Sequence, residues 1–297
     1  MGMAPHEQET RDDMLTRLRT YASFVRIGHS VFALPFALVG ALLAARVVPL
    51  TLTRVAWIAA CMVTGRSAAM GFNRLVDAAH DARNPRTAMR ELPRGRMSRA
   101  EAIGFVLASS VLFVFAASRL GTLCLILSPV ALATVFWYSL AKRFTSYTQM
   151  FLGLAMAVAP VGGWLAAGGR GGSAPWLLGL AIGTWVGGFD VLYACQDLDV
   201  DRREGLLSIP VRFGVGVSLW ISRAMHVITV GCLAALGATE SLGPVYFAGV
   251  LGVAGLLVWE QSLISERDLS QVKRAFDMNG WVGILYFVTT AAAIYWK

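Results

Sequence analysis

Apolar residues dominate the chain in long runs that are separated by polar segments. Nine runs qualify as membrane spans, since roughly 20 mostly apolar residues cross the hydrocarbon core of a bilayer. They are approximately Phe24–Ala45, Val55–Phe72, Ala102–Ser118, Thr122–Leu140, Met150–Ala167, Trp176–Tyr193, Val215–Leu236, Pro244–Ile264 and Trp281–Trp296. Barrel strands are shorter and alternate in polarity, and lipid offers no partner for free backbone groups, so the pattern predicts helices.

The composition agrees with this pattern. Hydrophobic residues make up 56% of the chain and charged residues only 15%, whereas soluble domains carry about 25% charged residues. We therefore expect an all-α polytopic membrane protein rather than a soluble one. Residues 1–22 carry several acids and no long apolar core, which predicts a cytoplasmic interfacial segment ahead of a nine-helix domain at 23–297.

The basic residues are distributed unevenly between the two sides of the membrane. The N-terminal flank and the loop between the second and third runs are rich in arginine. The opposite side carries only Arg46, Arg54, Arg119, Arg170 and Lys297. Positive loops stay in the cytoplasm, so we expect an inner (plasma) membrane protein with its N-terminus inside and its C-terminus outside. The net charge of +8 then reflects topology, and we expect no nucleic-acid partner.

Three oxygen-bearing side chains follow the second run at intervals of four residues. They are Asn73, Asp77 and Asp81, in the segment NRLVDAAHD. Residues four apart share one face of a helix, so the spacing predicts an oxygen-rich ridge at the cytoplasmic end of the second span.

A second acidic segment repeats this spacing after the sixth run. Asp197 and Asp201 lie four residues apart, and Asp190 lies seven residues earlier on the same predicted face. The extra acid Asp199 falls off that face, so we expect it to be solvated. Both ridges are predicted at one membrane depth on the cytoplasmic side.

Facing carboxylates repel each other unless a cation lies between them. Hard oxygen ligands suit Mg²⁺, which combines a few carboxylates with substrate phosphates. Lys142 and Arg143 end the fourth span, and Arg86 and Arg90 lie in the loop between the second and third spans. Acids for a metal beside bases for an anion indicate a diphosphate site, with function at the cytoplasmic face.

These segments resemble the UbiA superfamily of intramembrane prenyltransferases. The two acidic signature regions of that superfamily are matched in this chain by the segments GFNRLVDAAHDARNPRTAMRELPRG and YACQDLDVDRREGLLSIPVRFG. Further similarity lies in WYSLAKRFT after the fourth run, in HSVFALPFAL at the first helix and in FDMNGWVGILYF at the last. The resemblance implies nine helices around a central cavity, cytoplasmic cap loops and a side opening that admits a polyprenyl tail from the lipid bilayer.

The resemblance also implies a reaction. Mg²⁺, expected as two ions, is held by Asn73, Asp77, Asp81, Asp197 and Asp201. An allylic polyprenyl diphosphate is ionised there, and Lys142 and Arg143 neutralise the departing diphosphate. An aromatic acid, 4-hydroxybenzoate or a dihydroxynaphthoate, then attacks the allylic cation in ubiquinone or menaquinone biosynthesis.

Several further residues are expected at the substrates. Tyr138, Phe189 and Tyr193 lie near the site in sequence, and their ring faces are suited to stabilising the cation. Arg26 and His29 stand at the inner end of the first span, where a carboxylated acceptor needs a cation. The alternative for Arg26 is a positive-inside anchor whose charged end reaches the interface.

Two charges are predicted deeper in the membrane. Arg66 precedes Asn73 by seven residues and Asp190 precedes Asp197 by seven, so each lies about 10 Å below its ridge on the same face. A lone charge at the centre of a spanning helix costs about 2.5–3.5 kcal/mol. We predict either an ion pair between Arg66 and Asp190 or separate polar partners for each.

Other membrane-protein functions require different patterns of polar residues. An ion-coupled transporter requires polar residues through the outer halves of the spans, and these offer few. A CDP-alcohol phosphotransferase places its acids in one contiguous motif, whereas here they are split between two spans. Haem or chlorophyllide prenylation by another UbiA branch remains an alternative, as do both quinone precursors, and chain length and oligomeric state stay open.

Overall fold

The structure, a computed structural model, describes residue 17, residues 19–25 and residues 27–296, and of residues 27–33 the backbone alone. Ten α-helices lie in the range 27–296, and no β-strand occurs within the described residues. They are α1 Ile27–Ala44, α2 Leu52–Arg83, α3 Arg99–Ser118, α4 Thr122–Ala141, α5 Thr148–Ala166, α6 Ala174–Ala194, α7 Leu198–Arg203, α8 Ile209–Thr239, α9 Pro244–Ser262 and α10 Val272–Tyr295.

The long helices coincide with the nine apolar runs, which confirms the predicted all-α polytopic fold. Within the described part of the chain, eight helices are long and apolar enough to cross a membrane. The first run corresponds to α1, whose described apolar portion is the shorter stretch Leu34–Ala44. Large apolar side chains such as Leu112, Leu251 and Val258 are exposed on the outer surface, as expected of helices that face lipid.

Helix α2 carries the first ridge on a single continuous element. Its 32 residues give a length of about 48 Å, which exceeds the thickness of the hydrocarbon core. Its last turns therefore extend beyond the membrane and include Asn73, Asp77 and Asp81. This continuity confirms the helical spacing that the sequence predicts.

The second acidic segment is not carried by one regular helix, in contrast to the prediction. Helix α6 ends at Ala194, and a 3₁₀ turn at Cys195–Asp197 precedes the short helix α7. A 3₁₀ turn has three residues per turn instead of 3.6, so it rotates α7 relative to the face of α6. Gly205, with φ of +65°, then ends α7 in the left-handed conformation that favours glycine.

The central helix α6 packs closely between α5 and α8. A Cβ atom on Gly153 of α5 would lie 2.3 Å from the carbonyl oxygen of Gly183 on α6. A Cβ atom on Gly163 would likewise lie 2.0 Å from the carbonyl oxygen of Ala37 on α1. Small residues let helix backbones approach in this way inside a membrane, and they fix α5 as the partner of both α1 and α6.

The loops on the side of the acidic ridges fold over the ends of the helices as caps. The loop before α8 is held by two hydrogen bonds, from the Leu207 amide to the Lys142 carbonyl oxygen (2.8 Å) and from the Ile209 amide to Gln149 Oε1 (3.3 Å). The loop before α3 is held by Ser23, whose hydroxyl donates to Glu91 Oε1 (2.5 Å). Most of the predicted interfacial segment 1–22 lies outside the described residues.

Candidate active site

The first ridge faces inward at the C-terminal end of α2. Asp77 and Asp81 are buried, and the Asn73 amide donates to Asp77 Oδ2 at 3.3 Å. Buried carboxylates need charged or hydrogen-bonding partners. The partners of this ridge come from α4 and from the cap loop that follows α2.

Two bases at the end of α4 hold Asp77. Lys142 Nζ lies 2.7 Å from Asp77 Oδ2, and Arg143 Nη2 lies 2.9 Å from Asp77 Oδ1. Arg143 also donates to the carbonyl oxygens of Val76 (2.8 Å) and Ser139 (2.9 Å). Lys142 lines the central cavity and Arg143 does not, so the two adjacent bases occupy different positions relative to the site.

The cap loop supplies a base for Asp81. Arg90 Nη1 donates to both carboxylate oxygens of Asp81, each at 2.7 Å. The Thr87 hydroxyl donates to the Asp81 carbonyl oxygen at 3.1 Å. These contacts fold the loop after α2 back onto the ridge.

Arg86 joins the cap loop to the second acidic segment. Its Nε and Nη2 atoms lie 3.0 and 2.5 Å from the two oxygens of Asp197, and its Nη1 donates to the Tyr193 hydroxyl at 2.9 Å. Asn84 also donates to Asp197 Oδ1 at 3.2 Å. Burial alone lowers the pKa of Arg86, but the hydrogen bonds and charge of Asp197 outweigh it, so the pKa is raised.

A further contact between the two segments involves Glu204, which follows α7. Its Oε2 atom accepts from Arg83 Nε at 2.6 Å and lies 3.1 Å from His80 Nδ1. Hydrogen bonds with Arg83 and His80 hold the pKa of Glu204 below its ordinary value. The end of α2 is thus tied to the α6–α7 segment at two points, Asp197 and Glu204.

One cavity of about 460 Å³ collects nearly all the predicted site residues. Its lining includes Arg66, Asn73, Asp77, Asp81, Tyr138, Lys142, Phe189, Asp190, Tyr193, Asp197 and Asp201. Asp201 is half-buried, whereas Asp199 is exposed as expected. Three predicted positions are not part of this lining: Arg143 contacts Asp77 from outside it, Arg26 is not among the described residues, and neither is the side chain of His29.

The predicted ion pair between Arg66 and Asp190 is wrong. Both residues are described and both line the cavity, yet they form no ion pair or hydrogen bond with each other. The seven-residue spacing sets the depth and face of each charge on its own helix. It does not set the distance between the two helices, and the open cavity lies between them.

A second, apolar cavity of about 660 Å³ adjoins the first in the half of the bundle away from the acidic ridges. Its lining is mainly apolar and comes largely from α4, α5 and α6, with Leu120 and Trp176 among the outermost residues. The two cavities share the wall residues Cys61, Met62, Phe113, Ala131, Val158 and Ala159. We refer to the first as the polar cavity and to the second as the apolar cavity.

The donor set of the polar cavity fits magnesium. Asn73, Asp77, Asp81, Asp197 and Asp201 present hard oxygen atoms from two sides of one space. Among the described residues, no three Asp, Glu, His or Cys side chains lie close enough to hold a metal alone. Mg²⁺ prefers one or two carboxylates together with substrate phosphates over a cage of protein ligands, so the arrangement suits a metal that shares its ligands with a diphosphate.

Among the polar residues that line the cavity, the sequence pattern missed His80, Asn84 and Glu204. Glu204 lies seven residues after Asp197, so the helical spacing that reveals the ridge also points to it. Phe276 of α10, which lines the polar cavity beside Tyr193, begins the segment FDMNGWVGILYF that resembles the family, but no helical spacing relates it to the acids. Its helix is distant in the sequence from both acidic segments.

Known proteins resemble this chain in sequence and in fold. The UbiA prenyltransferase family matches residues 33–283. The 4-hydroxybenzoate octaprenyltransferase of Vibrio parahaemolyticus is 32% identical over 77% of this chain and 81% of its own, and that of Pseudomonas putida is 34% identical over 76% of each.

Solved structures agree with these sequences. An apo UbiA homologue from Aeropyrum pernix K1 superposes with a TM-score of 0.82 at 36% identity, covering 89% of this chain and 97% of that one. A UbiA homologue from Archaeoglobus fulgidus bound to GPP and Mg²⁺ superposes with a TM-score of 0.71 at 18% identity, covering 93% and 99%. The second likeness concerns the fold alone.

Proposed function

We propose that this chain, which belongs to the UbiA prenyltransferase family, transfers a polyprenyl group from an allylic diphosphate to 4-hydroxybenzoate. The names of the bacterial relatives favour 4-hydroxybenzoate over a dihydroxynaphthoate as the acceptor. One observation carries the proposal: acids from α2 and from the α6–α7 segment line one polar cavity that adjoins a large apolar one. A diphosphate with a long apolar tail needs both environments.

The polar cavity provides for the leaving diphosphate. Asn73, Asp77, Asp81, Asp197 and Asp201 would hold two Mg²⁺ ions, which supply neutralising charge to the diphosphate when bound. Lys142 lines the cavity and acts directly on the leaving group, whose negative charge increases as the bond to the prenyl carbon breaks. Arg143 contacts the Asp77 carboxylate and two backbone carbonyl oxygens and does not line the cavity, so we assign it a role in positioning Asp77.

Aromatic side chains surround the place where the allylic cation forms. Tyr138, Phe189, Tyr193 and Phe276 line the same cavity. Phe276 packs against Phe189 and Tyr193, with ring centroids 5.6 and 4.9 Å apart. Such rings exclude water that would quench a cation, and their faces stabilise positive charge.

Arg66 and Asp190 are suited to the acceptor. The buried Nε of Arg66 has no hydrogen-bond partner within the described residues. A buried guanidinium that lines a cavity without a carboxylate partner suits the carboxylate of 4-hydroxybenzoate. Asp190 lines the same space and takes the proton that the acceptor loses in electrophilic substitution. A role for Arg26 and His29 at the acceptor remains a prediction.

The apolar cavity would accommodate the prenyl tail. Its shared wall with the polar cavity leads from the diphosphate position toward the outer half of the bundle. The same lining argues against an ion-coupled transporter, because ions need polar ligands along the whole path. We further propose that the polar cavity faces the cytoplasm across a plasma membrane, with the N-terminus inside and the C-terminus outside.

The test is an assay of purified protein with one prenyl diphosphate and separate acceptors. We expect prenylated 4-hydroxybenzoate by mass spectrometry, and none with Asp77→Asn. Turnover of 1,4-dihydroxy-6-naphthoate instead would reassign the acceptor within the quinone branch. Product formation only with haem or chlorophyllide would move the chain to another branch, and no prenyl transfer to any acceptor would refute the proposal.

A further inference from the structure

Two arginines of the cap loop form close hydrogen bonds with the carboxylate oxygens of two ridge acids. Arg90 contacts both oxygens of Asp81, and Arg86 contacts both oxygens of Asp197. Arg86 uses two nitrogens in a bidentate pair, which is among the strongest hydrogen-bonded arrangements in proteins, whereas Arg90 uses Nη1 for both oxygens. These arginines therefore compete with any metal ion for the same oxygen atoms.

The competition is specific to these two acids. Asp77 is held by two bases, Lys142 and Arg143, and the second also rests on backbone carbonyl oxygens. Among the described residues, Asp81 forms an ion pair with Arg90 alone, and Asp197 forms one with Arg86 alone. A single arginine that moves away leaves either carboxylate free to bind a metal.

We propose that Arg86 and Arg90 each exchange partners during the catalytic cycle, from a ridge acid to the diphosphate. The inference rests on the proposed function. Asp197 would bind the metal once Arg86 leaves it, and the released guanidinium would then bind the diphosphate. Metal and diphosphate then strengthen each other's binding by equal factors, as linkage requires.

The surroundings of Arg86 favour a short movement rather than release from the site. Its guanidinium carbon lies 5.3 Å from the centroid of the Tyr193 ring, and its Nη1 donates to the Tyr193 hydroxyl. Its own backbone amide donates to Asn84 Oδ1 at 2.9 Å. Neither the contacts with Tyr193 nor the hydrogen bond to Asn84 involves the carboxylate of Asp197. We therefore expect Arg86 to keep its place in the loop when its guanidinium leaves Asp197.

The exchange predicts opposite effects of one substitution on two ligands. In Arg86→Gln we expect Mn²⁺ alone to bind about fivefold more tightly than in the wild type, since Asp197 loses its competitor. We expect pyrophosphate with Mn²⁺ to bind at least about tenfold more weakly, since a charged partner is lost. The measurement is calorimetric titration of the purified full chain with Mn²⁺, pyrophosphate and both.

Arg83→Gln is the matched control. Arg83 lies in the same segment and pairs with Glu204, a carboxylate outside the two ridges. Its loss should leave the coupling between Mn²⁺ and pyrophosphate unchanged. Equal changes in both variants would show a general effect of loop charge and would overturn the exchange.

Two further variants keep the inference testable if Arg86→Gln does not fold. Arg86→Lys retains the charge without the paired contact, so Mn²⁺ affinity should lie between wild type and the Gln variant. Arg90→Gln should reproduce the effect at Asp81. Unchanged or weaker Mn²⁺ binding in the variants that fold would overturn the inference. Failure of the wild type to bind Mn²⁺ even with pyrophosphate would refute the proposed function instead.

Discussion

The polar cavity and the apolar cavity share a wall but differ in how their residues are held. In the polar cavity, side chains such as Asp77 and Asp197 are fixed by ion pairs that cross between helices and loops. In the apolar cavity, the lining residues make no charged contacts, and Gly162 leaves open space where a side chain would point. A site for chemistry needs fixed charges, whereas a surface for a flexible chain needs only room and low polarity.

The largest expected effect comes from the metal-binding acids. Asp77→Asn or Asp197→Asn should lower kcat/KM by on the order of 10³-fold for every prenyl donor, because each removes a carboxylate that would hold the Mg²⁺ beside the leaving diphosphate. Excess chelator should abolish turnover of the wild type. Steady-state assays with short and long donors measure this, and a loss confined to long donors would contradict the division between the cavities.

Substitution of Lys142 should be the next most severe. Lys142→Ala is expected to lower kcat/KM for the prenyl diphosphate by about 10²-fold, with little change in the KM of the acceptor. Arg143→Ala should have a smaller effect, because its guanidinium lies outside the cavity lining. Equal losses in the two variants would indicate that both bases contact the diphosphate.

The role of Arg66 gives a third prediction within the polar cavity. Arg66→Met should raise the KM for 4-hydroxybenzoate by roughly 10- to 100-fold, the cost of a hydrogen bond between charged groups. Use of the prenyl diphosphate should change little. Hydrolysis of the donor without acceptor serves as the control, and a parallel loss there would place Arg66 at the diphosphate instead.

A substitution in the apolar cavity should change donor preference alone. Gly162→Leu places a side chain in the space beside the cavity, so we expect a loss of about tenfold for long donors and little change for a ten-carbon donor. Gly255→Leu is the control, since Gly255 also has open space and lines neither cavity. Equal effects of the two variants would contradict a tail-binding role.

The smallest effect is expected at the rim of the polar cavity. The lowered pKa of Glu204 means that its contacts with Arg83 and His80 stabilise the fold only while it is ionised. The Tm of the wild type should exceed that of Glu204→Gln above the ordinary pKa of 4.5. The difference should vanish as the pH falls through the lowered value, and melting curves across this range measure it.

The sequence patterns predict the helices and the acidic spacing well because both are local. Apolar runs reflect the thickness of lipid, and the positions of Asn73, Asp77 and Asp81 follow from one helical repeat. Partners across the site are another matter. They depend on how segments distant in the sequence pack together. Spacing along one helix therefore predicts neither the ion pair between Arg86 and Asp197 nor the separation of Arg66 from Asp190.

The helix break at Cys195–Asp197 shows that spacing along the chain can also fail to predict local structure. The four-residue spacing of Asp197 and Asp201 suggests one regular helix, but the 3₁₀ turn interrupts it. No proline or glycine lies between Ala194 and Glu204 to announce the change. The contacts of Asp197 with Arg86 and Asn84 come from a loop more than 100 residues away, so tertiary structure decides the local conformation here.

Arg66 also bears on how the chain enters the membrane during synthesis. A central arginine raises the free energy of inserting a single spanning helix into the membrane. The insertion of α2 is therefore expected to depend on a strongly apolar neighbouring helix. The next apolar stretch, Ala102–Ser118, contains no charged residue, and Phe113 of α3 packs directly on Gly65 of α2. The two helices are therefore expected to leave the translocon as a hairpin, and a nascent chain that ends before α3 should fail to integrate α2 stably.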